Sequence, residues 1–155
     1  MSLKDFAKKK VFDPLRITEY YWFANASNQT GAAGNLYIGT LDLAKLGVLV
    51  ANKGKWADKQ IVQADYIERL IEQKVFDLAD YWSLSKTYGM FWYKNQFTLN
   101  DKKINYLFGA GHGGTQLIVV PEEKMVIALT STAYGHGYGH PRAYLILTKL
   151  LSAIK

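Results

Sequence analysis

The stretch that decides the fold is residues 109–132, which read GAGHGGTQLIVVPEEKMVIALTST. Two apolar, β-branched runs, residues 117–120 and 125–130, are each about the length of a strand. The polar residues between them begin with Pro121 and are typical of a turn. The stretch therefore predicts an antiparallel β-hairpin.

Both runs are almost continuously apolar, whereas a half-exposed strand alternates apolar with polar residues. This favours two strands that are covered on both faces and lie centrally in a sheet flanked by helices. Four glycines, Gly109, Gly111, Gly113 and Gly114, precede the first run. Because glycine adds little to strand packing, they indicate either close approach of bare backbone to a ligand or a bulged turn at the strand's entry.

Hydrophobic spacing places further elements on both sides of this hairpin. In chain order, the predicted elements are helices at about 3–9, 40–52 and 63–74, strands at 88–93, 104–108, 117–120 and 125–130, and a helix that begins near Pro141. We expect Thr40 to cap the second helix, and Tyr144, Leu147, Leu151 and Ile154 to form the buried stripe of the last. Helices followed by a meander of strands and a final helix predict an α+β fold with an antiparallel sheet.

Composition narrows the functional classes. The chain has 155 residues, which fits a single domain at 1–155, and it has no cysteine for disulfides or thiolate metal sites. No segment reaches the roughly 18 apolar residues of a membrane span, and Met1–Lys10 lacks the apolar core of a signal peptide. The net charge of +6 is spread out, with one tight cluster at Lys8–Lys10. A solvated surface is therefore favoured over nucleic-acid binding, and the cellular location stays open.

The three histidines, His112, His136 and His140, suggest a metal site because two of them have His-x-x-x-His spacing. Gly137 and Gly139 between those two disfavour the helix that such a site needs, and no acidic ligand is adjacent. We therefore predict no metal site, and a solvated loop at residues 134–140 that forms a lip of a cleft.

Five pieces of the chain together resemble a known superfamily. They are residues 12–17 (FDPLRI), 31–36 (GAAGNL) with the helix at 41–47, the turn from 52 to 62, 88–92 (YGMFW), and 109–132. In this order they are similar to the C-terminal part of the serine β-lactamase and penicillin-binding-protein superfamily, in its branch of β-lactamase-related esterases, amide hydrolases and D-aminopeptidase-like proteins. The resemblance implies a partial β-lactamase/transpeptidase-like fold, and a chain that is the C-terminal fragment of a longer hydrolase.

The resemblance also implies a chemistry. Members of the superfamily acylate a serine in a Ser-x-x-Lys element, and a tyrosine assists proton transfer. Both elements would lie before Met1, so the chain alone is expected to be inactive. The substrate would be small or peptide-like, no cofactor is implied, and the partners would be the missing N-terminal half and, through uncovered apolar surface, a second copy of the chain.

What the chain would contribute is the strand wall that donates a backbone N–H to the oxyanion. The implied wall residues are Gly109, Ala110, Gly111, His112, Gly113, Gly114 and Thr115. Aligning the first three with the superfamily's Lys-Thr-Gly triplet places the His112 N–H at the oxyanion. Aligning the next three places the Thr115 N–H there. Trp92, Asn25 and the rest of the loop at 25–34 are expected as further cleft lining.

Short look-alikes of the catalytic motifs occur elsewhere in the chain. Ser83-Leu84-Ser85-Lys86 and Ser152-Ala153-Ile154-Lys155 fit Ser-x-x-Lys, and Tyr93-Lys94-Asn95 fits Tyr-x-Asn. Patterns of three common residues recur by chance, and none of these sits at the start of a buried helix, so we assign no catalytic residue to this chain. A non-catalytic binding or interaction domain derived from the same fold is the alternative function.

Overall fold

The computed structural model describes residues 1–73, 76–78 and 85–153. The helices of this part of the chain are α1 (Leu3–Ala7), α2 (Thr40–Ala51), α3 (Ala64–Glu72) and α4 (Gly139–Ser152). The strands are β1 (Tyr20–Trp22), β2 (Leu36–Ile38), β3 (Lys55–Trp56), β4 (Lys59–Gln60), β5 (Phe76–Asp77), β6 (Thr87–Gly89), β7 (Trp92–Leu99), β8 (Lys102–Ala110), β9 (Gln116–Val120) and β10 (Met125–Leu129). A π-helical turn at Lys8–Phe12 continues α1, and a short 3-10 turn spans His112–Gly114.

The main sheet is a six-stranded antiparallel meander in the order β10-β9-β8-β7-β6-β5. Every strand pairs with its neighbours in sequence, so the sheet is built from hairpins alone. The predicted α+β class with an antiparallel sheet is confirmed.

The two faces of the sheet are covered by different helices. On one face, Leu147 and Leu151 of α4 pack with Ile118 and Val120 of β9. On the other, Val50 of α2 and Ile67 and Leu70 of α3 pack with Leu107 and Val119. All five residues of β9 are buried, which confirms that the first apolar run is covered on both faces.

The prediction that the second apolar run, residues 125–130, lies centrally in the sheet was wrong. Met125–Leu129 is an edge strand, because β9 is its partner on one side and no described strand lies on the other. Helices α2 and α4 cover its two faces, so the strand needs apolar side chains although its edge is open. A continuous apolar run indicates that both faces of a strand are covered, but it does not indicate whether the strand has a hydrogen-bonded partner on each side.

The aromatic stretch predicted as one strand at 88–93 is instead a tight hairpin. Gly89 pairs with Trp92, and the two residues between them, Met90 and Phe91, have φ of 50° and 66°. A two-residue turn with positive φ at both positions is usually built from Asn and Gly. Met-Phe gives no such signal, so the prediction of a single strand was wrong.

Two details of the helices also differ from expectation. Gly39, not Thr40, is the N-cap of α2, and the Thr40 hydroxyl lies 3.0 Å from that of Thr130 instead. In α4 the buried stripe consists of Ala143, Leu147 and Leu151. Tyr144 is 41% exposed, and Ile154 lies outside the described residues.

A two-stranded ribbon of β1 and β2, which the sequence patterns did not predict, stands beside the sheet. One face of it packs Tyr20 and Ile38 into a third apolar cluster around Leu15 and Ile17. The other face carries the exposed rings of Tyr21, Phe23 and Tyr37, whose centroids lie 4.7–6.4 Å apart. The expected dimerisation through apolar surface stays a prediction. Across the described residues, no helix has the length and apolarity of a membrane span.

Candidate functional site

A cleft of about 1070 Å³ opens between the β1–β2 ribbon and the glycine-rich turn that follows β8. Its ribbon side consists of Glu19, Gly34, Asn35, Leu36, Tyr37, Ile38 and Gly39, with Leu43 of α2. Its sheet side consists of Gly111, His112, Thr115, Thr130, Ser131, Thr132, Ala133, Tyr134, Tyr138 and Arg142. The sheet side thus combines the turn before β9, the segment after β10 and the start of α4.

The glycine-rich turn is closed by its own backbone. The Gly111 N–H donates to the Thr115 carbonyl at 2.8 Å, and the Gly114 N–H donates to the Gly111 carbonyl at 3.2 Å. Gly113 and Gly114 have φ of 82° and 90°, a region that residues with a Cβ rarely adopt. The turn therefore requires glycine at both positions.

The glycine-rich turn does bring bare backbone close to another group, and that group belongs to the protein itself. Gly114 packs against Gly139, the first residue of α4, and a Cβ on Gly113 would meet the Tyr134 ring at 3.0 Å. Because Gly113 and Gly114 have no side chains, the turn can pack closely against the Tyr134 ring and the first residue of α4.

The seven predicted wall residues fall into three groups. Gly111, His112 and Thr115 line the cleft. Gly113 and Gly114 are buried within the turn. Gly109 and Ala110 belong to β8, where they pair with Leu117 and Gln116 of β9.

The backbone N–H groups of the turn differ in their partners. Those of Gly111 and Gly114 are engaged within the turn. For those of His112 and Thr115, no backbone acceptor outside the 3-10 turn is found among the described residues, and both residues line the cleft. The choice between His112 and Thr115 as the oxyanion donor stays a prediction.

Thr115 also ties the turn to the segment that follows β10. Its hydroxyl accepts from the Ser131 N–H at 3.3 Å and donates to the Ser131 carbonyl at 3.4 Å. The Thr40 and Thr130 hydroxyls, 3.0 Å apart, link the same segment to α2. These contacts hold the floor of the cleft to the sheet and to a helix.

Each histidine has a different environment. The exposed His112 ring stacks on Tyr134 with 5.3 Å between centroids, and His136 stacks on Tyr138 at the same separation. His140 lies in the first turn of α4, where its Nδ1 is 3.2 Å from the Gln116 side-chain nitrogen. Burial and, to a smaller extent, the charge of His112 lower the pKa of His140 below its ordinary value of 6.5.

The described residues contain no group of three or more metal-ligating side chains close enough to hold an ion. The loop expected to form a lip contributes Tyr134 and Tyr138 to the cleft, and His136 and His140 are absent from its lining.

The two further lining residues that the resemblance suggested lie apart from the cleft. Trp92 packs in the apolar cluster beneath α2 and α3. Asn25 borders a second cavity of about 440 Å³, which shares Asn35 and Tyr37 with the cleft. The Asn25 carboxamide oxygen accepts from the Ser27 and Gln29 N–H groups, so it also shapes its own loop.

The motif look-alikes are placed away from the cleft where the structure describes them. Tyr93 stacks on Phe108 at 5.2 Å within the sheet, and Lys94 Nζ donates to the Gln73 carbonyl. The Ser152 hydroxyl donates to the Thr148 carbonyl of its own helix. Ser83, Leu84, Ile154 and Lys155 lie outside the described residues.

Glu19, Tyr37 and Arg142 line the cleft although no local pattern singled them out. Each is a common residue in a loop, a strand or a helix, and only the packing of the ribbon and α4 beside the turn brings them together. Gly34, Asn35 and Leu36 also line the cleft, and they belong to the loop at 31–36 that carries part of the resemblance.

The fold is similar to that of two longer proteins of known structure. A Bacillus anthracis protein described as a 6-aminohexanoate-dimer hydrolase superposes with a TM-score of 0.75 over 98% of this chain, at 18% identity. The octameric penicillin-binding protein homologue from Pyrococcus abyssi superposes with a TM-score of 0.56 over 94% of this chain, at 20% identity. This chain spans 38% and 37% of their respective lengths.

At these identities the comparisons show the fold alone, which resembles the β-lactamase/transpeptidase fold. No protein-family model matches the chain, and no curated protein matches its sequence.

Proposed function

We propose that this chain forms the oxyanion-side half of an acyl-transfer cleft in a longer β-lactamase-related serine hydrolase. The observation that carries the proposal is the wall formed by Gly111, His112 and Thr115, which borders a cleft of about 1070 Å³ and in which the N–H groups of His112 and Thr115 have no backbone acceptor outside the turn among the described residues. Such donors stabilise the negative oxygen that develops when a nucleophile attacks an ester or amide carbonyl.

The rigidity of the wall supports this role. Stabilisation of a developing charge requires donors that are already oriented before the reaction, because reorientation during the reaction costs free energy. The turn is fixed by its two internal hydrogen bonds, by the contacts of Thr115 with Ser131, and by the packing of Gly114 on α4.

The reacting groups belong, in this proposal, to a segment outside the chain. That segment supplies the serine of a Ser-x-x-Lys element and the lysine that lowers the cost of removing its proton. The serine oxygen attacks the carbonyl, the alcohol or amine leaves with a proton, and water then hydrolyses the acyl-enzyme. The similarity to a protein described as a hydrolase of an amide-linked dimer favours an amide or ester substrate.

A serine-directed probe tests the proposal. Chain 1–155 and the longer polypeptide encoded together with its upstream sequence are each treated with a fluorophosphonate, and the labelled residue is located by peptide mass spectrometry. We expect no labelling of chain 1–155, and labelling of one serine upstream of Met1 in the longer polypeptide. Labelling of Ser83 or Ser152, or no labelling of either protein, contradicts the proposal. The second of these results favours the non-catalytic binding domain.

A further inference from the structure

The open face of the β1–β2 ribbon carries three aromatic rings that pack on one another and still face the solvent. Phe23 lies edge-on to Tyr21 and to Tyr37, with 4.7 Å and 5.6 Å between ring centroids. Phe23 is nevertheless 46% exposed, Tyr21 56% and Tyr37 60%. Because each side chain has only two torsion angles and its neighbours restrict both, the three rings form a rigid, exposed apolar surface.

The second cavity, of about 440 Å³, lies beside two of these rings. Its lining combines Phe23 and Tyr37 with the amide residues Asn25, Gln29 and Asn35. Its volume is within the range of roughly 300–1,000 Å³ that is usual for small-molecule sites. The described lining lies entirely within residues 23–37 and contains no charged side chain. Such a cavity favours a neutral ligand that has both an apolar surface and several hydrogen-bonding groups.

The side-chain amides of Gln29 and Asn35 are available to a ligand. Both residues are exposed, and no hydrogen bond found in the described part of the chain involves either side-chain amide. Each amide offers two N–H donors and one acceptor oxygen. The pair can therefore donate to hydroxyl groups of a ligand and accept from them.

The backbone around the cavity is fixed by its own hydrogen bonds. The Phe23 N–H donates to the Asn35 carbonyl at 3.0 Å, and the Asn25 N–H donates to the Gln29 carbonyl at 2.9 Å. The Asn25 carboxamide oxygen accepts from the Gln29 N–H at 2.8 Å. Rings and amides thus keep their relative positions without a ligand, which lowers the entropic cost of binding.

We propose that the cavity and the neighbouring rings bind an uncharged sugar in its ring form. The faces of a pyranose present C–H groups, which are attracted to the electron-rich face of an aromatic ring. Its edges present hydroxyls, which match the neutral amides of Gln29 and Asn35. A nucleotide also stacks on aromatic rings, but its phosphate needs a cationic partner, and the described lining of the cavity has none.

This binding does not depend on the proposed acyl transfer. The cavity shares Asn35 and Tyr37 with the cleft, and its described lining includes none of the wall residues Gly111, His112 and Thr115. A sugar in the cavity would therefore lie beside the cleft without occupying the oxyanion wall.

Methyl β-cellobioside is a suitable probe, because its ring substituents are all equatorial and leave C–H groups on both faces of each ring. Sorbitol carries similar hydroxyls on an open chain that has no flat face to stack, and adenine is a stacking base without hydroxyls. Each compound is titrated into 15N-labelled chain 1–155 and followed through the amide shifts of Phe23, Gln29 and Asn35. We expect saturable shifts with methyl β-cellobioside and none with sorbitol at the same concentrations.

Variants separate stacking from hydrogen bonding. Phe23→Ala should raise the Kd by about three- to tenfold, as for the loss of one ring contact, whereas Phe23→Tyr keeps the ring and should bind as the original chain does. Gln29→Ala should raise the Kd by about three- to fivefold, as for one lost hydrogen bond. Phe76→Ala and Gln63→Ala remove the same residue types from exposed positions in β5 and before α3, and both should leave the Kd unchanged.

The absence of a saturable shift with methyl β-cellobioside contradicts the proposal. Equal binding of sorbitol also contradicts it, because hydroxyls would then be recognised without stacking, and tighter binding of adenine would make the surface a site for bases instead. A loss of binding in Phe23→Tyr as large as in Phe23→Ala would overturn the stacking role. None of these results changes the fluorophosphonate test, and a longer polypeptide that takes up no fluorophosphonate leaves the sugar site standing.

Discussion

Gly114 and Gly139 lie so close that neither can carry a side chain: a Cβ on Gly114 would come within 2.6 Å of the Gly139 carbonyl carbon. A Cβ on Gly139 would in turn meet the Gly113 carbonyl oxygen at 2.9 Å. The glycine-rich turn and the N-terminal end of α4 are thus fitted backbone to backbone. This contact sets the position of the cleft wall relative to Tyr138 and Arg142.

Gly114→Ala should therefore lower the free energy of unfolding by about 2–4 kcal/mol, the sum of left-handed backbone strain and overpacking. Urea denaturation followed by circular dichroism measures the effect. Gly135→Ala is the matched control, because Gly135 has φ of 72° but no atom within 4 Å of its added Cβ. The control should lose only about 1–2 kcal/mol, the strain part. Equal losses in the two variants would show that the contact with Gly139 is unimportant.

Phe91→Gly should stabilise the protein. Phe91 is 70% exposed and has φ of 66° in the turn between β6 and β7, so glycine removes backbone strain and little packing. The expected gain is about 0.5–1 kcal/mol in the free energy of unfolding. Phe76→Gly is the control, because Phe76 is also largely exposed but lies in strand β5, where glycine should cost stability. A loss at both positions would contradict the strained-turn interpretation.

His140 should make the protein less stable in mild acid. Because its pKa in the folded protein lies below 6.5, the unfolded chain binds a proton first as the pH falls. The free energy of unfolding should therefore be undiminished above pH 6.5 and decrease from there down to the folded-state pKa, where the loss levels off.

The measurement is urea unfolding between about pH 7.5 and pH 5, compared with His140→Gln, which should lack this part of the decrease. His136→Gln also removes a histidine but keeps the contact between Gln116 and His140, so it should behave as the original chain does. Parallel stability curves for the original chain and His140→Gln would disprove the role of His140.

The sequence predicts the part of the fold that depends on local patterns. The run Gln116–Val120 is apolar throughout, and the structure buries it between helices on both faces. The apolar spacing of α2, α3 and α4 likewise predicts where helices pack. The apolar pattern does not indicate the order of the strands within the sheet. Met125–Leu129 is therefore as apolar as β9 and yet lies at the edge of the sheet.

Two other features could not be predicted for different reasons. The Met90-Phe91 turn uses residues that disfavour positive φ, so its sequence gives no turn signal. The cleft brings Glu19 and Arg142, from near opposite ends of the chain, to one site through packing of the β1–β2 ribbon and α4. The sequence does indicate an unusual backbone conformation or a close contact at Gly113 and Gly114, but only the structure identifies Gly139 as the residue against which Gly114 packs.

In the proposed function a backbone N–H of the glycine-rich turn stabilises the oxyanion, and proline substitution in the longer polypeptide tests this role most directly. Thr115 has φ of −64°, a value that proline adopts, and His112 begins a 3-10 turn after an extended Gly111, as prolines at helix starts do, so proline is the substitution that removes the N–H at each position. His112→Ala and Thr115→Val keep the N–H and serve as controls for the lost side chains.

The measurement is kcat/KM for p-nitrophenyl ester hydrolysis by the four variants, with circular dichroism to verify folding. We predict that one proline variant loses about 10²- to 10³-fold, the usual cost of an oxyanion donor, while its side-chain control stays within about tenfold of the original. The position that loses activity identifies the donor as His112 or Thr115. If both proline variants fold and keep kcat/KM within about tenfold of the original value, the result contradicts the proposed oxyanion donor.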